Sequence, residues 1–249
     1  MMDQNPAYKP DIVFQEKLKK EIEHIDIFLS DNQIRQFDEF YQMMIEKNKV
    51  MNLTAITEED EVIRKHFLDS LSCARVCDMS RVRSLIDIGT GAGFPGIPLK
   101  IAYPHIEMVL VDSLKKRISF LEEVIASLGL ENIRAVHGRA EDLARDKGYR
   151  SRFDLCVSRA VANLSTLTEY CIPFVKVGSY FISYKGQKGK EEIEAAGNCF
   201  RRLACSLEQA YEFELEGEDA TRLLLKIKKE KKTPGAYPRK AGVPARNPL

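Results

Sequence analysis

The sequence predicts an α/β protein in which a mostly parallel sheet with crossover helices ends in a C-terminal antiparallel hairpin and follows an N-terminal helical lobe. Three observations carry the prediction. Apolar residues recur at helical spacing through the first 80 residues; from Val82 onward short β-branched runs alternate with amphipathic stretches; and the last two strand-like runs, 210–215 and 221–228, have only Glu216-Gly217-Glu218-Asp219-Ala220 between them. Alternating strand and helix argue for parallel strands joined by crossovers, whereas so short a connection permits only an antiparallel return. At 249 residues the chain can bury a full core without disulfide or metal staples.

Taken in order, residues 12–30 carry Leu18, Ile22, Ile25 and Leu29 on a helical stripe blurred by further apolar positions. Ser30-Asp31-Asn32-Gln33 places a hydroxyl three residues before a Gln, the capping-box pattern that opens a helix through Ile34, Phe37, Phe40, Tyr41, Met44 and Ile45. A third helix is expected after Thr57-Glu58-Glu59-Asp60, carrying Val62, Ile63, His66, Phe67, Leu68 and Leu71. These elements make the lobe, residues 1–80. The sheet region, 81–230, opens with strands at 84–88 and 107–112 and a helix at 97–103 between them. Residues 114–128 are amphipathic, and Gly129 stands where a C-terminal helix cap belongs. Further strands are expected at 133–137, 153–158 and 179–184, with helices near 164–171 and 191–203. The tail, 231–249, differs in character. Between residues 226 and 249 eight lysines and arginines face the single acid Glu230, among four prolines, so the tail is expected to be extended and ordered only by docking onto protein or RNA.

Composition narrows the function less than it narrows the fold. Lys plus Arg is 38 against Asp plus Glu 37, so any anionic partner must be met by local patches and not by the net charge of +1. No stretch approaches the ~20 apolar residues of a bilayer span, and the N-terminus lacks the apolar segment of a secretory signal, so a cytoplasmic location is expected. The six cysteines and four histidines show no zinc-ligand spacing, and no metal is expected.

The strongest chemical signal is Asp87-Ile88-Gly89-Thr90-Gly91-Ala92-Gly93-Phe94-Pro95-Gly96 at a strand-to-helix turn, followed by Asp112 at the end of the next strand. Gly91, Gly93 and Gly96 fit G-x-G-x-x-G, and an acid about 20 residues on suits the hydroxyls of a ribose. A nucleoside cofactor follows, either NAD or S-adenosylmethionine. Asp87, just before the turn, would repel a pyrophosphate but suits the ammonium of S-adenosylmethionine. Ala140 and Glu141 follow the third strand, where a backbone N–H and an acid would meet an adenine, although Glu141 reads equally well as an exposed helix-start acid. Ser158-Arg159-Ala160 ends the fourth strand in place of the Asn/Asp-Pro-Pro-aromatic signature of exocyclic-amine methylation, and Arg159 offers a cationic fork to a cofactor carboxylate or to RNA. Cys156, inside an apolar strand, reads as a buried thiol and not as a nucleophile. Tyr184-Lys185-Gly186-Gln187-Lys188-Gly189-Lys190 is a candidate phosphate contact or a solvated loop, and His66 is a substrate contact or a core histidine. An NAD-dependent oxidoreductase and a non-catalytic RNA-binding module remain the alternative classes.

Asn52-Leu53-Thr54, Arg64-Lys65-His66-Phe67-Leu68-Asp69-Ser70-Leu71, the run from Asp87 through Phe94-Pro95-Gly96-Ile97-Pro98, Asp112-Ser113-Leu114-Lys115-Lys116-Arg117, Ser158-Arg159-Ala160 and Tyr237-Pro238-Arg239-Lys240 occur in that order. With them the chain closely resembles the bacterial 16S rRNA guanine-N7 methyltransferase family, RsmG, also called glucose-inhibited division protein B (GidB). The resemblance implies a class I, Rossmann-like fold and S-adenosyl-L-methionine as methyl donor, leaving S-adenosyl-L-homocysteine. It also implies cofactor contacts from Gly89, Phe94, Asp112, Ala140, Glu141 and Arg159, to which the residue reading adds Asp87, Gly91 and Ser113. Arg159, Lys185 and His66 are the candidates for catalysis or substrate orientation. The expected partner is 16S rRNA or the small ribosomal subunit, held by the tail, the 185–190 loop, Arg64 and Lys65, with the enzyme a monomer.

Overall fold

The computed structural model describes residues 8–159, 161–215 and 221–249; the expected hairpin connection 216–220 and Ala160 of the Ser-Arg-Ala motif lie outside the described residues. The N-terminal helices are α1 (Ile12–Glu23), α2 (Asp31–Met51), the short α3 (Glu59–Val62) and α4 (Asp69–Leu71). Helix α1 stops at Glu23 instead of running to residue 30, because the chain turns at Asp26, which takes φ +57°. The capping box forms as its sequence implies, with the Ser30 hydroxyl accepting from Gln33 N and the Gln33 side chain accepting from Ser30 N. Gln33 also donates to Ile101 O at 2.8 Å, which fixes this helix start to the sheet region. The expected third helix is not regular. Residues Ile63–Leu68 form a π-turn between α3 and α4, so the register of hydrogen bonding slips at His66.

The remaining elements are β1 (Ser84–Ile88), α5 (Gly96–Ala102), β2 (Glu107–Asp112), α6 (Lys115–Ser127), β3 (Ile133–His137), α7 (Ala140–Leu143), β4 (Phe153–Arg159), α8 (Leu164–Cys171), β5 (Val175–Lys185), α9 (Gly189–Ala195), α10 (Gly197–Leu203), β6 (Cys205–Glu214), β7 (Thr221–Lys229) and α11 (Val243–Arg246). The seven strands lie in the order β3-β2-β1-β4-β5-β7-β6. The first five are parallel, and β7 runs antiparallel to both β5 and β6, as the short connection required. Helix α6 ends in a Schellman turn at Gly129, φ +60°, with Leu130 N donating to Ile125 O and Gly129 N to Ala126 O. The single helix expected at 191–203 is two, meeting at Ala196.

Strand side chains alternate between two apolar layers. Leu85, Leu110, Leu155, Ile182 and Leu224 face one layer, and Ile86, Val109, Cys156, Phe181 and Leu225 face the other. The first layer is continuous with the lobe, since Phe14, Phe37, Phe40 and Phe67 belong to the same packed cluster. Phe67 is its hub, with ring centroids 6.4 Å from Phe14, 5.0 Å from Phe37, 5.9 Å from Phe40 and 6.1 Å from Phe94. The change of sequence period near Val82 therefore marks no break in packing. No helix among the described residues is long and apolar enough to cross a membrane. Replacing Phe67 by Ala leaves a large cavity at this hub, and urea unfolding should show a loss of about 3–5 kcal/mol.

Candidate functional site

The parallel strands end along one edge of the sheet, and the crevice where strand order reverses, between β1 and β4, is where open α/β sheets bind ligands. Beside it lies a cavity of about 450 Å³ bordered by Gly89, Asp112, Ser113, Arg139, Ala140, Glu141 and Tyr170. A larger cavity of about 740 Å³ lies at the opposite edge, where the strands begin, between residues such as Ser84, Glu107 and Ile133; the glycine turn has no part in it.

The turn after β1 is held by Gly89 N and Thr90 N, which both donate to Val111 O. Gly89 takes φ +73°, and a Cβ there would stand 2.5 Å from a methyl of Val161. Gly91 takes φ +62°, with no other atom within 4 Å of the place its Cβ would occupy, so it presents bare backbone to open space. Its N–H donates to Asp112 Oδ2 at 3.0 Å. Asp112 also accepts from Leu114 N at 2.9 Å and from the Arg117 guanidinium at 3.2 Å. A carboxylate accepts about four hydrogen bonds, so Asp112 is fixed in place with acceptor capacity still turned to the cavity.

Asp87 is arranged differently. Its Oδ2 accepts from Gly96 N at 2.9 Å, capping the start of α5, while Oδ1 is buried close to the Thr90 hydroxyl. Burial pushes the Asp87 carboxyl up to about 7, against the opposing pull of the Thr90 hydroxyl, the Gly96 N–H and the Arg159 charge. The acid expected to face a cofactor ammonium thus also anchors the glycine turn, a role that the motif spacing does not reveal.

Glu141, 5% exposed, starts α7 together with Ala140. It is not the exposed helix-start acid that the sequence equally allowed. Its Oε1 accepts from Gly242 N at 2.9 Å, so the C-terminal segment meets the acid expected at the adenine. Tyr170 stands beside it with its phenol pushed up to about 12 by burial and the neighbouring Glu141 charge. Ser113 is exposed at the cavity rim, and its carbonyl accepts from the His137 ring.

Arg159, Phe94 and His66 converge, but on one another and on the lobe. The Arg159 guanidinium donates to Asp69 Oδ2 at 2.7 Å, to Lys65 O at 3.0 Å and to His66 Nδ1 at 3.2 Å. It lies 5.0 Å from the Phe94 ring centroid, and His66 stacks on the same ring at 4.5 Å. Because Nδ1 faces a guanidinium, the His66 proton sits on Nε2 and points to the Thr54 hydroxyl at 2.8 Å. Burial, then the Arg159 charge, push the imidazole down to about 3, so it is neutral at physiological pH. Phe94 is packed against Phe40 and Phe67, which leaves its backbone as the part presented to the turn.

Lys185 is not brought to the cavity. Its ammonium pairs with Glu192 at 2.8 Å and donates to Ala162 O at 2.7 Å, tying β5 to the loop before α8. The ammonium expected to help orient guanine is thus engaged within the chain's own fold. Lys190 pairs with Glu212 and Lys65 with Glu61. The tail, expected as an RNA arm, lies against the chain's own fold. Lys229 is buried, donating to Ile172 O and Val175 O, and desolvation pushes it down to about 8. Arg239 forks onto the buried Glu169. Lys231, Lys232 and Lys240 remain exposed. The Cys156 thiol is buried and pushed up by desolvation, as a core cysteine should be. No group of three metal-ligating side chains exists among the described residues. Asp69 and Arg117 stood in the quoted motifs without a role assigned to them, whereas Tyr170 and Gly242 left no local signal in the sequence.

Among solved structures the chain superposes on StiE O-MT with a TM-score of 0.55 at 15% identity, covering 76% of this chain and 82% of that one. NSun6 from Pyrococcus horikoshii, solved with SFG, gives 0.51 at 17% identity, covering 66% and 52%. At such identities the likeness concerns the fold, which is the Rossmann-like class I fold of S-adenosylmethionine-dependent methyltransferases, and the glycine turn and acids stand at its carboxyl edge. Residues 33–217 match GidB, rRNA small subunit methyltransferase G. The chain is 52% identical over 221 residues to the ribosomal RNA small subunit methyltransferase G of Lachnoclostridium phytofermentans, covering 89% of this chain and 91% of that protein. It is 50% identical over 232 residues to the same enzyme of Alkaliphilus oremlandii, covering 93% and 97%. The chain belongs to the GidB family and is an S-adenosylmethionine-dependent methyltransferase.

The raised Asp87 carboxyl has a signed consequence. Between its unfolded value near 4 and its folded value of about 7, the folded state binds the extra proton, so this group's contribution to stability falls as pH rises. In urea unfolding, the difference in stability between the native chain and Asp87→Asn should shift in favour of the variant by about 2–3 kcal/mol from pH 5 to pH 8.5. A difference independent of pH would show that the carboxyl ionises normally.

Proposed function

We propose that this chain transfers the methyl group of S-adenosyl-L-methionine to N7 of a guanine in 16S rRNA. The name shared by its relatives supports the RNA class, and the state of His66 supports the acceptor atom. Guanine N7 carries a free lone pair and no proton, so attack on a methyl group needs no general base. The imidazole closest to the glycine turn is neutral with both ring nitrogens engaged, one facing Arg159 and the other facing Thr54. It is built to pack and orient, not to take a proton.

The residues present fit the cofactor. Asp112 keeps acceptor capacity toward the cavity for ribose hydroxyls, Ala140 N–H and Glu141 flank the place for adenine, and Gly91, with open space where a Cβ would stand, leaves room for the chain of the amino acid. Asp87, an acid wholly buried beneath the turn, suits the ammonium. Arg159 uses three of its five N–H donors on Asp69, Lys65 and His66, which leaves two for a carboxylate. When bound, S-adenosylmethionine supplies a methyl group on a cationic sulfur. The protein's contribution is to hold N7 in line with that methyl, an orientation effect worth up to ~7–11 kcal/mol in favourable cases. Ser113 completes the rim, and Lys185 holds the loop after β4 from behind. Exposed Lys188, Lys231, Lys232 and Lys240 are among the cations available to rRNA phosphates.

Incubation with methyl-labelled S-adenosylmethionine and 16S rRNA or small subunits lacking the modification should place label on guanine N7, read by nuclease digestion and mass spectrometry. Label on another atom, or none on either substrate, would overturn the assignment. Asp112→Asn should weaken S-adenosylhomocysteine binding at least about tenfold by calorimetry, since charge-assisted hydrogen bonds of about 1.5–3 kcal/mol are reduced to neutral ones.

A further inference from the structure

We propose that the C-terminal segment, residues 241–246, is part of the cofactor site, with Gly242 and Ala245 forming the wall that faces the adenosine half. This rests on the reading of the carboxyl-edge cavity as the S-adenosylmethionine site. Gly242 and Ala245 border that cavity together with Tyr170, Val161, Gly89, Asp112 and Ala140. The match to the GidB family ends at residue 217, so this wall comes from chain beyond the matched region.

Two features make the segment a built wall and not a loose end. One is its fastening. Arg150 donates to Tyr237 O at 2.9 Å and Thr233 O at 3.1 Å, Arg145 to Pro238 O at 2.6 Å, and the Thr166 hydroxyl to Pro244 O at 3.0 Å. Glu169, fully buried, takes its hydrogen bonds from Arg239 N, Nε and NH2 at 2.6–3.1 Å. A buried carboxylate stripped of its cation is strongly unfavourable, so Glu169 holds the tail down. The other feature is the direct contact with the site. Gly242 N–H occupies Oε1 of Glu141, which orients a carboxylate that the Tyr170 phenol also meets at the cavity wall. The tail thus positions a cofactor-facing acid as well as closing the pocket beside it.

The test uses the full chain, with S-adenosylhomocysteine and adenosine as probes in calorimetry and 16S rRNA in a parallel binding assay. Ala245→Trp places bulk at an exposed position whose backbone needs no change, and Arg239→Lys keeps a cation for Glu169 while removing the fork. Both should leave thermal unfolding within a few degrees of native. Each should weaken S-adenosylhomocysteine at least tenfold, weaken adenosine by a similar factor, and leave rRNA affinity unchanged. Both variants binding S-adenosylhomocysteine within twofold of native would overturn the wall, as would loss of rRNA affinity with cofactor affinity intact. Failure of the native chain itself to bind S-adenosylhomocysteine would instead overturn the cofactor reading beneath it.

Discussion

Arg159 and Asp69 form a buried ion pair that joins the end of β4 to the helical lobe, and the geometry of the glycine turn depends on it. Asp69 is 8% and Arg159 14% exposed at the side chain, so neither charge has water as an adequate substitute for the other. The pair is served by an irregularity in the lobe. The π-turn at Ile63–Leu68 shifts the hydrogen-bond register, and Lys65 O accepts from Arg159 there. The same turn lays His66 flat on Phe94, a residue of the glycine turn itself. Lobe, turn and β4 are thereby tied to one another. Arg222 approaches Asp69 from β7 at 3.5 Å, and Tyr184 donates to Ser70 O from β5, so the antiparallel end of the sheet shares in the lock.

Two acids at adjacent strand ends show how environment divides labour between like side chains. Asp112 receives three donors, two of them backbone N–H groups, and is held as a fixed acceptor. Asp87 receives one backbone N–H, is wholly buried, and has its carboxyl pushed up to about 7. The turn between them needs both, one to hold its outer limb through Gly91 and the other to hold its helix through Gly96. Preorganisation of this kind reduces what a bound cofactor would otherwise have to order.

Local chemistry was legible in the sequence, and long-range pairing was not. The Ser30–Gln33 box, the Schellman glycine at 129 and the antiparallel return of the last strands are written within a few residues each, and they form as written. The glycine turn and Asp112 were legible because a strand-to-helix turn imposes fixed spacing on its residues. Helix α1 stops early because Asp26 takes a left-handed conformation that the apolar stripe does not disclose. The π-turn escaped because its period differs little from that of an ordinary helix over six residues. Lys185 and Arg239 looked like free cations because their partners, Glu192 and Glu169, come from other elements and carry no mark of pairing in the sequence. A basic, proline-containing tail reads as a segment ordered only by docking onto protein or RNA, and the buried Glu169 makes the chain's own fold the surface it docks on.

The continuity of the first apolar layer has a consequence for how the molecule comes apart. Phe14 and Phe37 in the lobe, Ile97 and Leu121 in the helices over the sheet, and Leu155 and Ile182 in the strands belong to one packed cluster. Removing the lobe would strip one face of the sheet, and removing the sheet would leave the lobe's aromatic residues uncovered. Lobe and sheet therefore melt together in a single cooperative step, and a proteolytic cut between them yields no fragment that keeps its shape.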